Sequence, residues 1–269
     1  MKIAITGANG FLGKALTKKL RSKKISYTPL NSKKHDLFNP DTLKSLVSGK
    51  DVIIHLAAVN RGENKDLVET NVLGTLSILE AASKYAPNAK IIFSSSFQVY
   101  LDEGLYGISK KTAEDLIIQY TKKTNLKGVI LRISNIYGPD GKPFYNSVIA
   151  TFAHLVKKGG PIKVQGDGSS KRDFIFVEDV ADAVVKAALY KSKEPFEIID
   201  ICYGKEATLN EILKILKKVS GKNFEVVYNT DTKDKPWPTS GKNFRRAKRL
   251  LNWKPSTSLE RGLKTVITL

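Results

Sequence analysis

The chain has 269 residues, 41% of them hydrophobic, and a formal net charge of +19 from 45 basic and 26 acidic residues. That length supports a large core, while the single cysteine (Cys202) excludes an internal disulfide and, with only His35, His55 and His154, leaves no expected metal site. The absence of a run of about 18 apolar residues excludes a membrane-spanning helix, and the lysines are spread over nearly every helical segment, so nucleic acid is not an expected partner. The cytosol is the expected compartment.

The first element is the short apolar run Lys2 to Thr6, followed by GANGFLG and a helix with Leu12, Ala15, Leu16 and Leu20 on one face. A strand, a glycine-rich turn and a helix form the phosphate-binding unit of a dinucleotide fold. Gly7 suits the tight turn, Gly10 the approach of a pyrophosphate, and Gly13 the packing of helix on strand. A second strand, Ile25 to Leu30, follows at the expected distance. A carboxylate at its end would bind the ribose of NAD; Asn31, Ser32, Lys33 and Lys34 stand there instead. With no carboxylate to repel a 2′-phosphate and two ammonium groups to attract one, NADP(H) is favoured, with NAD(H) possible.

Alternation continues through a helix from Asp41, a strand at Asp51 to His55, a long helix from Asn64 to Tyr85 and the IIFSSS strand. His55 reads as a packed histidine at a strand end rather than a ligand. A helix from Tyr106 then leads to the strand Gly128 to Ser134. Strands and helices taking turns predict an α/β fold with a doubly wound parallel sheet, a Rossmann fold, over residues 1–134. Within it, Tyr106 and Lys110 are four residues apart and share a helix face. A lysine cation one turn away favours the phenolate of a tyrosine, and Ser96, at the preceding strand end, is placed to hold the oxygen whose proton Tyr106 moves.

Beyond Asn135 the rhythm loosens. Helices are expected at Tyr145 to Lys157, Glu178 to Tyr190, Leu209 to Ser220 and Phe244 to Leu251, with short strands near IKV, DFIF, EIIDI and FEVVY. Residues 135–269 therefore read mainly as a smaller α/β substrate-binding lobe, interleaved with the sheet. KPWPT (Lys235 to Thr239) is an expected exposed loop, in which Trp237 either stacks on a base or packs.

TGANGFLG, HLAA, NVLGT, SSS, YGISK, LRISNIYGP and GDGSSKRDFIFVEDVADA, in this order, resemble the extended short-chain dehydrogenase/reductases, in the NAD-dependent epimerase/dehydratase branch. HLAAVNR, SSSFQ and KPFYNSVIATF are most similar to the reductase domain of capsular-polysaccharide N-acetylfucosamine precursor synthesis. The resemblance implies a nucleotide-sugar substrate, a UDP-sugar favoured, and a homodimer. It implies Ser96, Tyr106 and Lys110 as the catalytic set. It places Gly7, Gly10, Phe11, Leu12, Gly13, Asn31, Ser32, Lys33, Asp36, Leu37, Leu56, Ala57, Ala58, Asn71, Ser94 and Ile133 at the dinucleotide. Asn135, Tyr145, Asn146 and Arg172 join Ser96 at the sugar nucleotide; for Arg172 the rival reading is docking of the two lobes.

Two departures bear on the reaction. Only nine residues separate Ser96 from Tyr106, shorter than usual for the branch, and Phe97-Gln98 stands where sugar 4,6-dehydratases carry an acid and base pair. Elimination of water is thereby disfavoured. The expectation is NADPH-dependent reduction of a 4-keto sugar, with an NAD-dependent 4-epimerase as the alternative. A non-catalytic dinucleotide-binding protein is the remote rival.

Overall fold

A computed structural model describes residues 1–30, 37–101, 104–145, 147–230 and 242–268. Asn31, Ser32, Lys33, Lys34, Asp36, Asn146 and the KPWPT stretch with Trp237 lie outside the described residues. The chain begins with β1 (Ile3–Thr6), α1 (Phe11–Ser22), β2 (Tyr27–Pro29), α2 (Pro40–Val47), β3 (Val52–His55) and α3 (Asn64–Val68). A π-helical turn at Glu69–Leu73 joins α3 to α4 (Gly74–Tyr85), so the single long helix expected there carries a bulge. Next come β4 (Lys90–Ser96), a 3-10 turn at Phe97–Tyr100, α5 (Leu105–Lys123), β5 (Lys127–Ile133) and β6 (Asn135–Tyr137). The remainder comprises α6 (Val148–Lys158), β7 (Ile162–Gln165), β8 (Lys171–Phe176), α7 (Val177–Leu189), β9 (Phe196–Ile201) and β10 (Glu206–Thr208). It closes with α8 (Leu209–Ser220), β11 (Val226–Asn229), α9 (Arg245–Leu251) and α10 (Leu259–Thr268).

Six parallel strands form the main sheet in the order β2-β1-β3-β4-β5-β9. The central strands are buried on both faces, and their residues feed two cores in alternation. Ile3 and Ile5 of β1 join α1 and α7 on one side; Ala4 joins α2, α4 and α5 on the other. This is the doubly wound arrangement, with its crevice at the carboxyl ends of β1 and β3, where the connections leave in opposite directions.

The EIIDI strand lies outside the small lobe. As β9 it pairs with β5 from Gly128↔Phe196 to Ile133↔Ile201 and becomes the sixth strand of the main sheet. Helix α7 also leaves the small lobe, packing on α1. What remains of that lobe is a core of Ile149, Phe152, Ile162, Phe174, Ile212 and Leu216, built from α6, α8, α10 and the small sheets β10-β8-β6 and β11-β7. Asp173 ties the two parts together: its carboxylate accepts from Ser134 Oγ at 2.7 Å, Tyr203 N at 2.9 Å and Gly204 N at 2.6 Å. No described helix is long and apolar enough to cross a membrane, and no group of three potential metal-ligating residues occurs among the described residues.

Candidate active site

The glycine-rich turn sits at the carboxyl end of β1. Gly7 has φ +71°, and a Cβ there would lie 2.6 Å from the Ala57 nitrogen; at Gly13 it would lie 2.1 Å from the Gly7 carbonyl oxygen. Both are required for α1 to start this close to the sheet. Gly10 caps α1 without a side-chain hydrogen bond, and the first turn holds no acidic residue. Its backbone N–H groups are thus left to an anion, which the helix dipole favours. A cavity of about 440 Å³ runs from this turn along Leu56 and Ala58 to Ser94, Ser96, Tyr106, Lys110 and Ile133. The expected dinucleotide residues Gly7, Gly10, Phe11, Leu12 and Gly13 line the same wall. These residues fit a dinucleotide pyrophosphate.

Three expected cofactor residues lie off that wall. Ala57 donates its N–H to Thr6 Oγ1 at 3.2 Å, and Leu37 packs towards Gly74 and the second core. Asn71 is buried behind the cavity. Its Oδ1 accepts from Val59 N at 2.8 Å, and its Nδ2 donates to Val59 O at 2.8 Å and Ser109 Oγ at 3.0 Å. It therefore positions the loop after β3, and its place in the π-helical turn accounts for the bulge in the helix.

The alternation of β4 separates its serines. All three border the cavity, but the Ser95 hydroxyl turns to the other face of the strand and donates to Glu114. Ser96 is also the cap of the 3-10 turn, its hydroxyl accepting from Gln98 N at 3.2 Å. Tyr106 and Lys110 come from the first turns of α5.

The electrostatics differ from the expected depression of Tyr106 by Lys110. Burial drives the Tyr106 phenol up to about 12, and a hydrogen bond with Ser96 pulls the other way. Lys110 is fully buried with its ammonium over the Phe93 ring, 4.0 Å from the centroid. Loss of hydration pushes its pKa down to about 7, against the stabilising field of Glu114. His55 is buried, bonded to Thr6 Oγ1 at 2.6 Å and Thr75 Oγ1 at 3.1 Å; burial and Lys110 hold it near 3, hence neutral.

Behind Lys110 lies an ionic cluster. Arg132, beside Ser95 and Asp200 in the sheet register, donates to Glu114 through Nε at 3.0 Å and Nη2 at 2.6 Å. Its guanidinium lies over the Tyr100 ring, whose hydroxyl donates to Asp200 at 2.7 Å. The sequence signal for this cluster is a lone arginine inside the apolar strand GVILRIS and a glutamate one helical turn past Lys110.

A second cavity of about 400 Å³ adjoins the first; Asn60, Gln98, Asn135, Ile136 and Tyr145 line both. The expected substrate residues Asn135 and Tyr145 are thus at the junction, and Arg172 lines the second cavity only. Asn60, Arg61, Lys142 and Lys163 were not singled out from sequence. The first two directly follow HLAAV, at the carboxyl end of β3, where ligands bind in such sheets.

Residues 3–202 match the model of the NAD dependent epimerase/dehydratase family. The chain belongs to this family. It is an enzyme of the extended short-chain dehydrogenase/reductase type. A putative UDP-glucose 4-epimerase of Methanocaldococcus jannaschii is 32% identical over 98% of this chain and 97% of its own. UDP-glucose 4-epimerase of Thermotoga maritima, solved with UDP-glucose, superposes with a TM-score of 0.88 at 27% identity, covering 100% of this chain and 98% of that one. UDP-glucuronic acid 4-epimerase of Bacillus cereus, solved with UDP-glucuronic acid and NAD, gives 0.86 at 26% identity over 100% and 98%.

Proposed function

We propose that this enzyme performs oxidation and reduction at C4 of a nucleotide-activated sugar, with a UDP-sugar as substrate and 4-epimerisation as the outcome. The observation that carries the reading is the meeting of two cavities at Asn60, Gln98, Asn135 and Tyr145, the first of them lined by Ser96 and Tyr106. One holds the features of a dinucleotide site, and the other extends into the small lobe. The epimerase relatives support this outcome over net reduction. NADPH-dependent reduction of a 4-keto sugar is the second reading, supported by the resemblance of HLAAVNR and KPFYNSVIATF.

When bound, the dinucleotide supplies the hydride acceptor and donor and, oxidised, a positive charge. Tyr106, at about 12, carries its proton at neutral pH and is ready to give it to a carbonyl oxygen. Taking a proton from the C4 hydroxyl needs a cation close by, which Lys110 supplies from one turn along α5. Ser96 orients the sugar oxygen. Gln98, a neutral amide at the junction, provides neither acid nor base for elimination of water.

Tyr106→Phe is expected to cut turnover about 100-fold or more while leaving dinucleotide affinity within about threefold. Unchanged turnover would refute the mechanism. Product analysis separates the outcomes: interconversion of C4 epimers without net change in nicotinamide absorbance marks the epimerase, and stoichiometric loss of NADPH with a UDP-4-keto sugar marks the reductase. The partner we propose for the protein itself is a second copy. Val68, Leu73 and Ile108 are 40, 47 and 50% exposed on the adjoining segments α3, the π-helical turn and α5.

A further inference from the structure

Helix α5 carries Tyr106, Lys110 and Glu114 at successive four-residue intervals, so all three side chains leave one helix face. Tyr106 and Lys110 border the first cavity; Glu114 does not, and it is 0% exposed. A glutamate that deep is held only by partners. Here they come from two strands of the main sheet. Ser95 of β4 donates its hydroxyl, and Arg132 of β5 donates Nε at 3.0 Å to Oε1 and Nη2 at 2.6 Å to Oε2. A buried ion pair of this kind adds little stability over apolar side chains of similar volume. Its place beside a second buried cation, Lys110, bears on the chemistry instead.

Lys110 meets neutral groups on its other sides. The Phe93 ring of β4 lies against its ammonium, His55 of β3 is held uncharged, and Tyr106 and Tyr100 keep their protons. Lys65 and Asp66 of α3, Glu69 of the π-helical turn, and Glu80 and Lys84 of α4 stand on segments packed against α5, yet no charge among them acts on Lys110. Lys90 and Lys127 stand at the opposite ends of β4 and β5. Among the described residues Glu114 is the one carboxylate that stabilises the Lys110 ammonium, against the burial that brings its pKa to about 7.

We propose that Glu114 is a positioning residue of the reaction: acting through Lys110, it keeps charged the ammonium that proton transfer at Tyr106 requires. The inference rests on the reading of function above and deepens it. Arg132 has the opposite influence, since a second cation repels the first. The pair thus sets the field at Lys110 by difference, with the anion dominant. The bonds from Ser95 and Arg132 fix the carboxylate, so that field has a fixed origin.

Lysine Cε resonances followed by NMR in dinucleotide-free protein read Lys110 directly, its signal assigned by its loss in Lys110→Met. The wild type should titrate near 7. Glu114→Gln should lower that midpoint by about one pH unit or more, and Arg132→Met, which leaves the carboxylate unbalanced, should raise it. Lost packing would not give opposite shifts from the two halves of one ion pair. The double variant Glu114→Gln with Arg132→Met leaves no unpaired buried charge, so it should fold even where a single variant does not, and it should keep a lowered midpoint. In the dinucleotide-loaded protein, the alkaline limb of kcat against pH should move in parallel with each midpoint. Three outcomes overturn the proposal: a midpoint unmoved in the double variant, shifts of the same sign in the two single variants, or a limb that stays in place while the midpoint moves. A wild type that turns over neither UDP-glucose nor UDP-glucuronate overturns the reading of function, and this assignment with it, whatever the midpoints do.

Discussion

Lys110→Met should make the protein more stable as it makes it inactive. The ammonium of Lys110 is fully buried, and its pKa falls from 10.5 to about 7, chiefly through lost hydration. At ~1.4 kcal/mol per pH unit that fall amounts to ~5 kcal/mol of cost for holding the charged form in the folded protein. Methionine fills a similar volume without charge. It gives up the contact with Phe93, worth about 1–2 kcal/mol, and it leaves no orphan carboxylate, because Glu114 is held by Arg132. A net gain of about 3–4 kcal/mol is expected at pH 6. The pH dependence follows from linkage. The folded pKa lies below the unfolded one, so between about 7 and 10.5 the unfolded chain binds one proton more and wild-type stability rises with pH. Below about 7 both states are protonated and the full cost is present. The mutant's advantage should therefore be largest at pH 6, and about 3 kcal/mol of the difference should be gone by pH 9. Urea unfolding of dinucleotide-free wild type and mutant at the two pH values measures this. A mutant less stable at pH 6, or an advantage equal at both pH values, would show that Lys110 is not paying a desolvation cost.

Glu114→Gln should cost about 1–3 kcal/mol in the same unfolding assay, because it leaves the half-buried Arg132 without its carboxylate; a loss below about 0.5 kcal/mol would mean that the pair is not structural. Sedimentation velocity should show a two-chain particle for the wild type and a one-chain particle for Leu73→Glu, which puts a charge in the exposed apolar trio. A wild type that sediments as one chain removes the second copy as a partner.

What the sequence made legible is what is local. The glycine spacing placed the turn at the end of β1, and the four-residue interval brought Tyr106 and Lys110 to one helix face, because both are set by fewer than a dozen consecutive residues. The position of β9 was not legible for the opposite reason. Its pattern of alternating burial is that of a half-covered strand, and nothing local says that it pairs with β5, some 70 residues earlier in the chain. The bulge at Glu69–Leu73 escaped as well. Asn71 is an ordinary helix residue by propensity, and only the loop it grips, at Val59, explains why the helix widens there. The pKa of Tyr106 was misjudged because spacing gives the neighbour but not the burial, and burial dominates.

The three serines of β4 show how closely the candidate site and the fold share residues here. All three border the cavity, and alternation turns the Ser95 hydroxyl to Glu114, so consecutive positions of one strand line the cavity and hold the ionic cluster behind it. That cluster spans the carboxyl ends of β4, β5 and β9 and reaches Tyr100, the last residue of the turn between Ser96 and Tyr106. The segment that follows β4 is therefore fixed at both ends: by the Ser96 cap at one and by the Tyr100–Asp200 bond at the other. A cation at Lys110 is tolerated in the fold because Glu114 stands one turn further along the same helix, its charge in turn balanced by Arg132. Charge at the site is arranged in a row rather than as a single pair, and that arrangement opposes the loss of the Lys110 proton that burial drives. The stability given up at Lys110 is the counterpart of placing a cation beside the cavity, one helical turn from Tyr106.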